Sequence, residues 1–449
     1  MKDLTTGKES KLIWQFATPM LLGNVFQQMY NIVDSIIIGN FIGKQALAAV
    51  GASFPIIFAL ISLVIGFATG ATIIIAQYFG AKQIEKVKRT IDTLYIFLFF
   101  ASIVLSVLGI LFSEPIFKLI QLPEDIMPYA TKYLNIYLSG LIFFFGFNGT
   151  AAILRGLGDS KTPLYFLILS TITNIVFDLL FVLVFKWGIA GVAVATVISQ
   201  GGAFFTAIIY LNKTHKVVRL SIFNLVFDRE IFRQSIKIGL PSGLQQTFVS
   251  LGLLALTWIV NLFGTNVIAA YSIAMRIDSL AAMPAMNFSA ALSTFVGQNL
   301  GANKPERVRS GLIATFKMTT VISVTITLIA IFFARSLMGV FTNDKDVIEI
   351  GAHYLFIVSS FYIMFSTLFV VSGVMRGAGD TLIPMFITLF ALWFVRIPLS
   401  YYLSQHIGET GIWWSIPIGW FLGMSLTYFY YLTGRWKKKA VVKYDKDAL

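Results

Sequence analysis

The chain has no cysteine. Disulfides, thiolate metal centres and cysteine nucleophiles are therefore excluded. Histidine is almost as scarce. Only His215, His353 and His406 occur in 449 residues, and none has a plausible partner nearby in sequence. Charge is sparse as well: 12% of residues are Asp, Glu, Lys or Arg, where a soluble domain carries about 25%. No HExxH, GxSxG or nucleotide-binding loop is present, and no acid pair sits on a large water-facing loop. An integral-membrane enzyme, such as a lipid-modifying transferase or an intramembrane protease, would need such a constellation.

Apolar residues dominate instead. They make up 57% of the chain, with 42 Phe and 17 Tyr, and mean hydropathy is +0.81. This is the composition of a polytopic membrane protein. A spanning helix needs about 20 mostly apolar residues. Charges bracket twelve such runs, near 12–40, 48–79, 91–113, 129–154, 162–185, 188–212, 236–261, 268–298, 311–335, 350–374, 382–405 and 411–433. The polar start, "MKDLTTGKESK", leads into an apolar run much longer than a signal-peptide core. It reads as a retained first span.

The net charge of +13 invites a nucleic-acid reading, but its placement argues otherwise. With both termini inside, 26 Lys and Arg fall on the cytoplasmic side, six on the other, and two, Arg276 and Arg396, within spans. That asymmetry orients helices by the positive-inside rule. It predicts a multi-pass protein of the cytoplasmic (inner) membrane with both ends in the cytoplasm. The partner expected from this is the lipid bilayer, with no nucleic acid.

The chain is internally duplicated. "RGLGDSKTP" at Arg155 recurs as "RGAGDTLIP" at Arg376, 221 residues later. Gln77, Gly80 and Ala81 recur as Gln298, Gly301 and Ala302 at the same offset, as does Gly43 at Gly264. Pro19 falls against Pro241 with a slip of one. The expected fold is therefore all-α and integral to the membrane, with twelve transmembrane helices in two six-helix lobes. An even number of helices per lobe implies a pseudo-twofold along the membrane normal and a central cleft. The expected divisions are an N-terminal lobe at 1–212, a cytoplasmic linker at 213–235 and a C-terminal lobe at 236–449. One chain already encloses a cleft, so it is expected to work as a monomer.

Two acids break the apolar runs. Asp34 is the only charged residue between Leu12 and Gly43, and Asp178 the only one between Lys161 and Lys186. A charge at membrane depth costs ~2.5 kcal/mol or more and marks function by default. Asn174 lies four residues before Asp178, on the same helix face. Thr196 adds a hydroxyl from the next helix, although a threonine there often only bonds its own backbone. At the duplication offset, Asp34 aligns with Ala255 and Asp178 with Leu399, so the acids belong to one lobe and not to the shared scaffold.

The two R-G-x-G-D segments, the QxxGA turns with basic tails, the helix-1 aspartate and the duplicated plan resemble the multidrug and toxic compound extrusion (MATE) transporters over essentially the whole chain. "AMRIDSLAAMPAMNFSAALSTFVGQNLGA" at Ala274 is similar to the prokaryotic DinF-like branch or a near relative. The resemblance implies a secondary active multidrug efflux antiporter. It would export amphipathic, cationic, drug-like compounds in exchange for H⁺ or Na⁺ by alternating access, with no cofactor. It also implies a cation-binding cluster at Asp34, Asn174, Asp178 and Thr196. Oxygen donors of this kind suit a hard cation such as Na⁺, and the same carboxylates, out of water, could carry protons. By the same resemblance Pro19 allows helix 1 to bend; a fixed structural kink is the alternative.

Helices 7 and 10 carry no acid, where the NorM-like branch is expected to have them. Phe143, Phe147, Met283 and Met286 are candidates for a drug-binding cleft, since Phe and Met accept varied apolar cations, though most Phe in such a protein face lipid. A flippase for lipid-linked substrates, from the same superfamily, is the second reading. It should line its cleft with cations to meet pyrophosphate, and only Arg276 and Arg396 qualify. Arg396 reads as a snorkelling side chain or the partner of an anion. Arg276 and Asp278 read as structural, and Arg155–Asp159 and Arg376–Asp380 as scaffold at cytoplasmic helix ends.

Overall fold

The computed structural model describes residues 2–214 and 224–443 of the chain. The middle of the expected linker, 215–223 with His215, lies outside the described residues. The rest is helical because a chain with these apolar runs must satisfy its backbone groups within each segment.

Among the described residues sixteen α-helices follow one another: α1 Glu9–Ile37, α2 Lys44–Gly80, α3 Ile84–Leu119, α4 Met127–Ser139, α5 Leu141–Gly156, α6 Lys161–Leu179, α7 Ile189–Thr214, α8 Arg229–Asn261, α9 Thr265–Gly301, α10 Pro305–Phe332, α11 Ala334–Gly339, α12 Lys345–Ser359, α13 Tyr362–Gly377, α14 Leu382–Leu389, α15 Ile397–Ile407 and α16 Glu409–Leu432. Among the described residues, eight helical runs are long and apolar enough to cross a bilayer. The count is ten if α4 with α5 and α12 with α13, bent by 51° and 48°, are each one span. The first helix, α1 with 29 residues, and the last, α16 with 24, are long enough to cross but fall outside this set of apolar runs.

The bends were not expected. The first falls at Gly140, where a Cβ would stand 2.4 Å from Val197 of α7. The second falls at Ser360–Phe361, and Phe361 is the residue 221 positions after Gly140. The duplication thus reaches the backbone even where the residue type has changed.

The same holds at the turns. Gly43 and Gly264 adopt φ of 118° and 88°, and Lys82 and Asn303 adopt φ of 58° and 55°. All four lie at the 221-residue offset. The QxxGA turns close with matching hydrogen bonds: Gln83 N donates to Tyr78 O at 2.9 Å, and Lys304 N to Asn299 O at 2.8 Å. This is the pattern that ends a helix on a left-handed residue.

The helices gather into two compact lobes. One comprises Met1–Asp3 and Thr18–Gly243, the other Leu4–Ala17 and Leu244–Leu449. Helices α1 and α8 are therefore each shared: α1 changes lobe beside Pro19, and α8 two residues after Pro241.

In the first lobe α2 and the start of α8 touch through glycine. A Cβ on Gly66 would lie 2.7 Å from Gly239 O, and one on Gly239 would lie 2.5 Å from Gly66 O. Small residues give helices in membranes this close approach. In the second lobe the N-terminal segment is clamped by side chains of the QxxGA turn. Leu4 N donates to Gln298 Oε1 at 2.9 Å, Asn299 Nδ2 to Leu4 O at 3.2 Å, and Lys304 Nζ to Thr5 O at 2.9 Å. Arg307 pairs with Glu9 at 2.9 Å. The core of this lobe centres on Trp413, fully buried, with Tyr271 stacked on it at 5.6 Å and Tyr354 edge-on at 4.9 Å.

Candidate functional site

Asp34 and Asp178 meet inside the first lobe. Asp34 sits near the end of α1 and Asp178 near the end of α6. Both are buried, and their carboxyl groups lie within hydrogen-bonding reach of each other. Each acid is followed within four residues by a π-helical turn, Ile38–Ile42 and Leu180–Val184. Such turns insert one extra residue into the helix and recur at functional sites.

The neighbours are polar and few. With its amide oriented to satisfy both ends, Asn174 donates from Nδ2 to Asp178 Oδ2 at 3.0 Å and accepts the Thr196 N–H at 3.2 Å. Thr196 donates its hydroxyl to Val192 O at 3.1 Å, and the Tyr30 hydroxyl lies 3.4 Å from the same Oγ1. So the four residues singled out in the sequence, Asp34, Asn174, Asp178 and Thr196, form one cluster.

The cluster is not fully satisfied. Asp34 Oδ1 and Asp178 Oδ1 are buried and have no hydrogen-bond partner. Two carboxylates in contact repel, and burial sharpens the repulsion, so the pair calls for a proton or a cation. No group of three or more His, Asp or Glu side chains suited to a metal occurs among the described residues. A small hard cation would rely on these two acids plus amide and hydroxyl oxygens.

Two neighbours of the acids escaped the sequence reading. Tyr30 stands one helical turn before Asp34 on α1, a spacing that could have shown it. Tyr133 of α4 lies in the electrostatic neighbourhood of both acids. It comes from a distant segment, and nothing local points to it.

The remaining candidates lie apart. Pro19 is inside α1, which runs through it uninterrupted. Phe143 is half-buried, 5.8 Å from the Phe205 ring, and Phe147 is buried in the first lobe. Met283 is half-buried and its carbonyl accepts from Asn287. Met286 is 45% exposed.

The second lobe holds a polar cluster of its own. Asp278 accepts from Tyr354 Oη at 2.5 Å and from Tyr362 Oη. Both carboxylate oxygens thus have partners, in keeping with a structural role. Arg396 lies within electrostatic range of Asp278, and its stem packs against Gly419 of α16. Asp159 and Asp380 also hold structure, accepting from the Thr162 hydroxyl at 2.6 Å and the Tyr430 hydroxyl at 2.6 Å.

Comparison with known proteins agrees with this architecture. The MatE family profile matches residues 19–180 and 241–402, once per half. A Bacillus subtilis (strain 168) protein named probable multidrug resistance protein YpnP is 34% identical over 97% of both chains. A Shewanella oneidensis protein named FAD transporter is 24% identical over 93% of this chain and 94% of its own. A crystal structure of MATE in the bent conformation superposes with a TM-score of 0.91 at 23% identity, covering 98% of each chain. The matched halves, the two helical lobes and the full-length likeness to YpnP have one reading: the chain belongs to the MATE family of multi-pass membrane transporters and is not an enzyme.

Proposed function

We propose that the protein is a secondary active antiporter that exports amphipathic, cationic compounds while H⁺ or Na⁺ enters. The observation that carries this reading is the buried Asp34–Asp178 pair with its two unpartnered oxygens. An ion or proton bound there removes the repulsion between the acids and stabilises one arrangement of α1 and α6. Export is coupled only if that arrangement has a different affinity for the compound. Asn174 orients Asp178, Thr196 supplies a further oxygen, and Pro19 gives α1 a point at which to bend. The chain acts as a monomer in the inner membrane with both termini cytoplasmic.

A second reading concerns the substrate. The relative named as an FAD transporter supports an amphipathic anion as cargo, on the same coupling site. A flippase for lipid-linked substrates has less support, since Arg396 lies close to Asp278.

The test is efflux of a cationic dye from proteoliposomes under an imposed Na⁺ gradient and, separately, an imposed pH gradient. One gradient should drive efflux, and Asp34→Asn and Asp178→Asn should each abolish it. If neither gradient moves the dye, cation-coupled drug export is wrong.

A further inference from the structure

The duplicated R-G-x-G-D arginines are not equivalent in their surroundings. Both close a helix, Arg155 in the last turn of α5 and Arg376 in the last turn of α13. Arg376 donates from Nη2 to Gln245 Oε1 at 3.2 Å, although its Nε is buried without a partner, and Gln245 is held by donating to Thr388 at 2.8 Å. At the offset that pairs Pro241 with Pro19, Gln245 falls on Gly23, so the first half has no matching amide. Among the described residues Arg155 has neither a hydrogen-bonding acceptor nor an acid within ion-pair distance.

Arg155 lines a pocket of about 40 Å³ within the first lobe. The wall is formed by α2, α3 and α5. Thr69 and Asn148 are its other polar residues, and Ile65, Leu98 and Phe144 are among its apolar ones. Asn148 has committed its Nδ2 to Phe144 O at 2.9 Å, and the Thr69 hydroxyl bonds Ile65 O at 2.9 Å. A cavity needs about 10–15 Å³ to hold one water. This one suits a head group of a few heavy atoms and is far too small for a whole drug.

From these features we infer that the Arg155 pocket binds the oxyanion head, carboxylate or phosphate, of an amphipathic molecule. A guanidinium offers paired N–H donors that match such a head. The pocket takes only the head, and the attached tail stays outside it. A role in balancing the helix dipole does not separate the two arginines, because both close a helix. The absent acceptor does. The inference goes beyond the cationic-drug reading and needs no coupling ion, so a binding measurement tests it even if dye efflux fails.

The probe is 2-naphthoate, titrated into the purified full chain in phosphatidylcholine nanodiscs, with retention of phosphatidylglycerol after delipidation as a second arm. Arg155→Gln should weaken naphthoate binding at least tenfold, Arg155→Lys only a few-fold, and Arg376→Gln not at all. If naphthoate binds weakly to all variants but wild type retains phosphatidylglycerol that Arg155→Gln releases, the oxyanion is a lipid head and the inference stands. Should Arg155→Gln fail to fold, Asn148→Leu keeps the arginine, fills the pocket and should give the same loss. If neither naphthoate binding nor lipid retention depends on Arg155 or on pocket space, the inference is overturned.

Discussion

Two glycines on one helix should respond oppositely to the same change. Gly66 and Gly51 both lie in α2. A Cβ on Gly66 would meet Gly239 O and Gly243 N at 2.7 Å and Gly243 Cα at 2.8 Å. All three are backbone atoms that cannot rotate away, so Gly66→Ala must push α2 and α8 apart. Overpacking of this kind costs ~1–3 kcal/mol. At about 2–4 °C per kcal/mol for a unit of 150–250 residues, Tm should fall by roughly 2–12 °C. Gly51 has no atom within 4 Å of a built Cβ. Gly51→Ala gains only helix propensity, up to about 1 kcal/mol, and Tm should hold or rise slightly. Intrinsic tryptophan fluorescence during a thermal ramp in detergent reads both. Gly239→Ala clashes across the same contact, so the double variant with Gly66→Ala should cost clearly less than the two singles added. A Gly66→Ala protein as stable as wild type, or additive costs in the double, would refute the close α2–α8 packing.

Further outcomes can be checked. Asn174→Leu should leave the fold intact but weaken cation-driven efflux strongly, because Asp178 loses its amide donor; a normal rate in proteoliposomes would remove Asn174 from the site. Tyr354→Phe deprives Asp278 of a buried donor and should destabilise by ~1–3 kcal/mol in the same thermal assay. Arg307→Ala removes the Glu9 pair and the bond to Gly7 O at 2.8 Å, and limited proteolysis should then cut the N-terminal segment sooner. Arg335→Ala, which breaks only an exposed pair with Glu349, should leave Tm unchanged in the same assay, at low salt and at high salt.

Much of this architecture was legible because bilayer thickness sets a length that charge brackets reveal. Asp34 and Asp178 stood out because an acid in an apolar run is costly, and Asn174 because it shares a helix face. The breaks at Gly140 and Phe361 were not legible, since no Pro or charge marks them. Tyr133 beside the acids, and Tyr354 and Tyr362 on Asp278, come from segments distant in sequence. Aromatic residues are too common here to signal such pairings. The π-helical turns after both acids left no pattern either, because one extra residue per turn barely shifts a hydrophobic stripe.

The early segment clamped by the second lobe has a consequence for biosynthesis. Leu4 bonds Gln298, 294 residues downstream. At about 5–20 residues per second, the amino end leaves the ribosome roughly 15–60 s before its binding surface exists. The first lobe, Met1–Asp3 included, can gather while Leu4–Ala17 waits for its partners, and closure of the second lobe must come late. A chain halted after Gly243 would hold the whole of one lobe and still display Leu4–Ala17 with nothing to receive it. Supplying Leu244–Leu449 as a separate polypeptide would then complete the molecule only if it captured that waiting end.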